Sequence, residues 1–348
     1  LAGVVLNRVG STRHQALLAE ALESIQVPLL GVLPHHPSLE LPSRHLGLLP
    51  PGELHDLEQR QEQWAELAAI HLNLEKLLPL LAPPAAEPGG EDPISWCLKQ
   101  CPQPLRKSSQ PLPVAIASDA AFHFRYPEAS ELLEAVGLEP LAWSPLADEP
   151  LPEGCRAVLL PGGYPELHAA QLAASRRSLG DLARAAAAGL PLVAECGGLL
   201  LLGEQLADGE GQLQQMAGVL PFKARKGPLS LGYRTASATA NGLLVRPGEN
   251  FCGHEFHRWQ LENLPNCDES VATGGGLWQL DGWGTATRRE GWTAPNVHAS
   301  WLHLHWAGCP VIPSRLAAAA ARAAPLPTSA ASCSPMSPAP RSSKNAGV

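Results

Sequence analysis

The stretch LPLVAECGGLLLLGEQL, residues 190–206, decides how the chain is read. Pro191 to Ala194 is a short apolar run of the kind a buried strand uses, and Gly197-Gly198 open an apolar helical run. Cys196 falls at the turn between them, the strand–turn–helix arrangement of a nucleophile elbow. Such a turn strains the residue at its tip and requires small neighbours, which the two glycines supply. The start of a helix beneath the sulfur favours thiolate over thiol. The amide of Gly197 points where an oxyanion would form. A buried core cysteine is the commonest use of the residue type, but paired glycines at a helix start imply that something must approach closely.

Working outward, RAVLLPGGYPELH (156–168) is a strand running into a Gly-rich loop and then a helix. Its backbone amides suit an anion, and Gly163 or its neighbour is the candidate for the second oxyanion donor. A base is harder to choose among thirteen histidines. In NVHASWLHLHWAGCP (296–310), His303 and His305 alternate with apolar residues, so an extended segment points both to one face. His254 and His257 in Gly253-His254-Glu255-Phe256-His257 form a second pair, open to a substrate or a structural role.

Around these motifs the chain alternates strands and helices. Val4 to Leu6, Pro28 to Leu33, Val114 to Ala117, Leu138 to Trp143 and Arg156 to Leu160 read as strands. Arg13 to Ile25, about Leu54 to Leu81, Pro127 to Val136 and Leu167 to Ala188 read as helices. After Leu229 the pattern turns strand-like. Residues 83–112, rich in Pro, Gly and Ser, read as a linker separating a segment 1–82 from a domain 113–312. Cys97 and Cys101 there read as incidental, since no further ligands complete a metal set. Residues 313–348 read as a short Ala-rich helix and a disordered tail.

The chain has 348 residues, a formal net charge of -8 and 25 basic residues that form no long stripe. Nucleic acid and anionic membranes are therefore poor partners. No apolar run reaches the ~18 residues of a membrane span. Eight scattered cysteines do not form the dense framework of a small secreted domain, so a cytoplasmic protein with reduced thiols is expected. The chain opens at Leu1 inside an apolar run, which reads as a buried strand entered midway and hence as a fragment. Five of nine tryptophans lie between Trp278 and Trp306, for which core packing is the commoner explanation.

The motifs LPGGYPE, AECGGLLLLG, SLGYRTA, GHEFHRW and NVHASWLHLHW, in this order, closely resemble the cobyrinic acid a,c-diamide synthase family. The flanking GVVLNRVGSTRH, LPSRHLGLLPPGE and FHFRYPEASELLE agree with it, and the resemblance covers about residues 1–312. It implies an α/β protein: a class I glutamine amidotransferase-like, flavodoxin-like domain preceded by the last elements of a P-loop amidoligase domain similar to dethiobiotin synthetase. It further implies ATP- and Mg²⁺-dependent, glutamine-hydrolysing amidation of two side-chain carboxylates of a corrinoid. Cys196 becomes the nucleophile and His303 its base. Two departures stand out: the position two residues after His303, where a class I triad has Glu, is His305, and no G-x-x-x-x-G-K-[ST] occurs. Asn7, after the first strand, is the one residue expected to touch nucleotide. Two other readings fit the elbow: a stand-alone cysteine hydrolase, and an inactive or regulatory amidotransferase subunit.

Overall fold

The computed structural model describes residues 1–42, 54–82, 89–101, 110–263 and 275–326, and the chain divides into two units, Leu1–Gly90 and Glu91–Val348. In the first, β1 (Val4–Val9) and β2 (Leu29–Pro34) pair in parallel around α1 (Thr12–Ser24), whose N-cap Ser11 accepts from the amide of His14. The helix expected over 54–81 is two helices, α2 (Leu57–His71) and α3 (Leu74–Leu81). The break has a tertiary cause: the Asn73 amide donates to Leu30 O at 2.7 Å, and its side chain caps α3 by accepting from Lys76 N. That docks the chain onto β2 and stops one helix from running through. Most of LPSRHLGLLPPGE lies outside the described residues.

The second unit begins with α4 (Pro93–Lys99), inside the stretch read as a linker. Asp92 caps it through Ser95 N, Pro93 fits its first turn, and Cys97 and Leu98 are buried with Ile116 and Leu132. Cys97 is thus a core residue rather than an incidental linker cysteine. Then follow β3 (Leu112–Ala117), β4 (Phe122–Phe124), α5 (Pro127–Ala135), β5 (Leu138–Trp143), β6 (Ala157–Leu160) and the two-residue β7 (Gly162–Gly163). The helix expected over 167–188 is a short 3₁₀ turn, α6 (Ala169–Ala174) and α7 (Arg176–Ala187). It divides at Ser175 because Asp148 Oδ1 accepts from the amides of Arg177 and Ser178 and so starts a new helix there.

Next come β8 (Leu192–Glu195) and α8 (Gly197–Leu202). The remaining elements are mostly strands: β9 (Gln205–Ala207), β10 (Leu213–Gln215), β11 (Phe222–Ala238), β12 (Asn250–Asn263), β13 (Gly275–Gly282), β14 (Thr285–Ala294), β15 (Val297–Ser300) and β16 (His303–Leu304). The Ala-rich helix α9 (Val311–Arg322) follows. Leu326, just past it, is buried and its amide donates to Cys155 O. Most of the tail expected to be disordered lies outside the described residues.

One sheet organises this unit. β15, β8, β6, β3 and β5 lie side by side in parallel, and β14, β13, β11 and β12 extend it in antiparallel fashion. The parallel strands are continuous apolar runs because both their faces are covered. Ala115, Val158, Leu160, Leu192 and Ala194 face a cluster that includes Leu172, Leu182 and Leu199 of α6, α7 and α8. The alternate residues Val114, Ile116, Ala157, Leu159 and Val193 face Leu132 of α5 and Leu316 of α9. The fold is α/β, as the strand and helix pattern implies.

Candidate active site

β15, β8 and β6 are adjacent and parallel, so whatever follows their carboxyl ends is brought together. Gly162 and Gly163 follow β6, Cys196 follows β8, and His303 stands three residues beyond the end of β15. Three motifs far apart in sequence therefore converge at the carboxyl ends of adjacent central strands.

Cys196 sits at φ 49° and ψ -116°, a left-handed backbone position for a residue with a side chain. Such strain costs on the order of 1–3 kcal/mol and persists only where the surroundings impose it. Here they do: the Cys196 amide donates to Ser300 O at 2.8 Å, and Gly198 packs so tightly on β6 that an added Cβ would stand 2.0 Å from Leu160 O. An added Cβ on Gly197 would stand 2.6 Å from Gly163 O and 2.9 Å from Gly163 N. The glycines expected to hold an oxyanion thus share backbone contact. Gly163 has no room for a side chain either, since a Cβ there would meet Ala121 O at 1.9 Å.

His303 fills the space left by Gly162, whose Cβ would lie 2.6 Å from its Cε1. His254, on the strand that pairs with β16, stacks on the same ring at 4.8 Å and 11°. His303 is buried; His305 is exposed and rests against Tyr126 at 4.5 Å between ring centroids. The pair does share a cavity of about 730 Å³, which Tyr126, Tyr233, Trp283 and His254 also line. A second cavity of about 530 Å³ is lined by His257, Arg288, Arg289, Glu290, Trp292 and Trp301.

The electrostatics correct one expectation. Burial pushes the Cys196 thiol well above its ordinary range; the Gly197 amide pulls the other way but loses, and Glu166, Glu195 and Glu255 add to the rise. A six-residue helix does not offset that desolvation, so the resting group is the thiol and not the thiolate. Burial, reinforced by His254 and His257, drives His303 down to about 3, so its resting imidazole is neutral.

β12 runs past both groups. Phe256 O accepts from Cys196 Sγ at 3.8 Å, and His257 stacks flat on Trp301 at 3.9 Å. Between them the fully buried Glu255 accepts from Arg234 Nε at 2.7 Å, from Ser230 Oγ at 3.2 Å and from Arg288. His257 Nε2 lies 3.7 Å from the same carboxylate. His254 and His257 thus have packing roles at the site. Glu255, Glu290 and Ser300 were not singled out in the sequence, because a lone Glu or Ser carries no spacing signal. Asn7 belongs to the first unit, where it is exposed on β1.

A family model for the CobB/CobQ-like glutamine amidotransferase domain matches residues 113–310. The chain belongs to that family. A cobyrinate a,c-diamide synthase of Gloeobacter violaceus is 43% identical to it over 307 residues, covering 88% of this chain and 62% of the relative. A hydrogenobyrinate a,c-diamide synthase of Thermobifida fusca is 38% identical over 333 residues, covering 92% and 66% respectively. The chain therefore spans between 62% and 66% of these relatives' lengths. A solved PurLQS structure from Thermotoga maritima superposes with a TM-score of 0.44 at 16% identity, over 61% of this chain and 98% of that one, too loosely to carry weight. The CobB/CobQ-like domain thus spans β3 to the start of α9 and includes Gly163, Cys196, Gly197 and His303. No helix among the described residues is long and apolar enough to cross a membrane.

Proposed function

We propose that the CobB/CobQ-like domain hydrolyses glutamine, with Cys196 as nucleophile and His303 as base. The convergence of the elbow, the Gly162-Gly163 loop and His303 at the ends of three adjacent strands carries this reading. Neutral His303 takes the thiol proton, and sulfur attacks the side-chain amide carbon of glutamine. The amides of Gly197 and Gly163 hold the resulting oxyanion. His303 returns the proton to nitrogen, ammonia leaves, and water hydrolyses the glutamyl thioester to regenerate the thiol.

The names of the relatives and the ordered motifs support a wider role in a longer protein. There the ammonia would amidate the a and c side-chain carboxylates of cobyrinic acid or a related tetrapyrrole, in the cytoplasm. ATP and Mg²⁺ are implied for that half-reaction, but the residues present do not fit them. The sequence holds no phosphate loop, and the described residues contain no group of three His, Cys, Asp or Glu side chains able to hold a metal ion. No step is assigned to either group on this chain, and the part given to Asn7 rests on resemblance alone.

The test is glutamate and ammonia release by the 348-residue chain, with labelling of Cys196 by 6-diazo-5-oxo-L-norleucine as a turnover-independent check. Hydrolysis that Cys196→Ser abolishes is expected. Absence of both hydrolysis and Cys196 labelling in the folded chain would overturn the reading.

A further inference from the structure

We propose that Glu290 and Ser300 form a clasp that sets the position of Cys196 relative to His303, making Glu290 a positioning residue of the glutaminase site. The inference rests on the roles just given to the two catalytic groups.

Ser300 ends β15 beside Glu195, the residue before Cys196. Both candidate catalytic groups hang from it. Its carbonyl accepts the Cys196 amide at 2.8 Å, and its hydroxyl oxygen accepts the Leu302 amide at 3.0 Å, one residue before His303. That oxygen also accepts from Trp278 Nε1 at 3.1 Å, so both its lone pairs are in use. Its single proton has one destination, Glu290 Oε2 at 2.6 Å, while Glu290 Oε1 accepts the Trp301 amide at 2.9 Å. Ser300 and Glu290 are both buried, so water is a poor substitute for any partner.

The donor count requires a carboxylate. Glutamine at 290 would aim its amide hydrogens either at a hydroxyl oxygen already saturated with donors or at the Trp301 amide. A donor would face a donor in both orientations, and the 300–302 segment would have to shift. Burial, helped by Glu255, outweighs the hydrogen bonds from Ser300 and Trp301 and the attraction of Arg288, and leaves the carboxyl raised to about 7. The carboxyl is joined to the nucleophile through Ser300, which donates to Glu290 and whose carbonyl holds the Cys196 amide, and this fits a positioning role.

The experiment compares the 348-residue chain with Glu290→Gln, Ser300→Ala and Ser300→Thr, each checked for a cooperative unfolding transition above the assay temperature. Two quantities are read: glutaminase kcat and KM, and the rate of alkylation of Cys196 by iodoacetamide, followed on the Cys196 peptide by mass spectrometry. Small displacements of a reacting pair cost ~10²-fold, so Glu290→Gln and Ser300→Ala should lose roughly 10- to 100-fold in kcat with KM for glutamine little changed. Both should slow Cys196 alkylation, and Ser300→Thr, which keeps the hydroxyl, should recover most of it. Should the parent chain show no glutaminase turnover, the glutaminase reading fails separately, and the alkylation rates alone decide the clasp. Unchanged alkylation in whichever of Glu290→Gln and Ser300→Ala folds overturns the proposal, as does a loss confined to KM.

Discussion

The imidazole of His303 occupies the space where a side chain on Gly162 would be: a Cβ there would stand 2.6 Å from His303 Cε1. His254 also stacks on the ring, which is thus held by its packing rather than by a carboxylate two residues downstream. Position 305, where a class I triad has that carboxylate, holds an exposed histidine packed on Tyr126.

Gly162→Ala should therefore disable catalysis without unfolding the domain. The methyl group forces the His303 ring to move, and a displaced base loses orientation to the thiol. The expected outcome is a ~10²-fold fall in glutaminase kcat with a near-normal circular dichroism spectrum. Wild-type kcat would show that the ring relocates harmlessly.

Cys196→Ser should leave the fold intact and remove glutamine hydrolysis to below ~10⁻³ of the parent, since a hydroxyl is a much weaker nucleophile than the thiol it replaces. In a full-length relative bearing the same change, amidation driven by free ammonia should survive. Its loss alongside glutamine-driven activity, with the fold intact, would argue against a purely glutaminase role for Cys196.

The two histidines of the 303–305 segment should separate cleanly. General-base catalysis contributes ~10²–10⁴-fold, so His303→Ala should fall by that order. His305→Ala removes an exposed ring contact and should change kcat less than about threefold on the same scale. Equal losses, measured at saturating glutamine, would reassign the base.

Glu255 should give the domain an acid limb in its stability. Burial would raise this carboxyl, but the nearby His257, the hydrogen bonds from Arg288 and Arg234 and the charge of Arg288 outweigh it and bring the group to about 2. Its ordinary value is 4.5, so between 4.5 and about 2 the unfolded chain binds more protons than the folded one. The contribution is present in full above 4.5 and is lost as pH falls through that window. Glu255→Gln also leaves the buried Arg234 without its counter-charge, a change that typically costs ~3–5 kcal/mol. Urea unfolding should show the variant less stable at pH 7, with the gap narrowing from pH 4.5 downward. A pH-independent gap would mean that the carboxylate charge is not what stabilises the cluster.

The sequence by itself determined the elbow, because its requirement is local: a strained tip between a buried strand and two glycines is written in seven consecutive residues. It determined the α/β class too, since parallel strands covered on both faces leave unbroken apolar runs such as Leu192 to Ala194. It did not determine where long helices divide. Asn73 and Ser175 mark breaks set by Leu30 O and by Asp148, residues tens of positions away. Alternation alone could not tell His303 from His305, which border one cavity; the resemblance pointed to His303, and only the tertiary structure shows that His303 is buried while His305 is exposed. The protonation state of the thiol is set by the same tertiary packing: helix polarity is legible in the local pattern, but the desolvation that overrides it comes from the whole packed environment. Ser300 and Glu290 were invisible for a further reason. A hydrogen-bond acceptor matters only when its donors are known, and those donors are assembled by the tertiary structure from β13, β15 and the segment leading to His303.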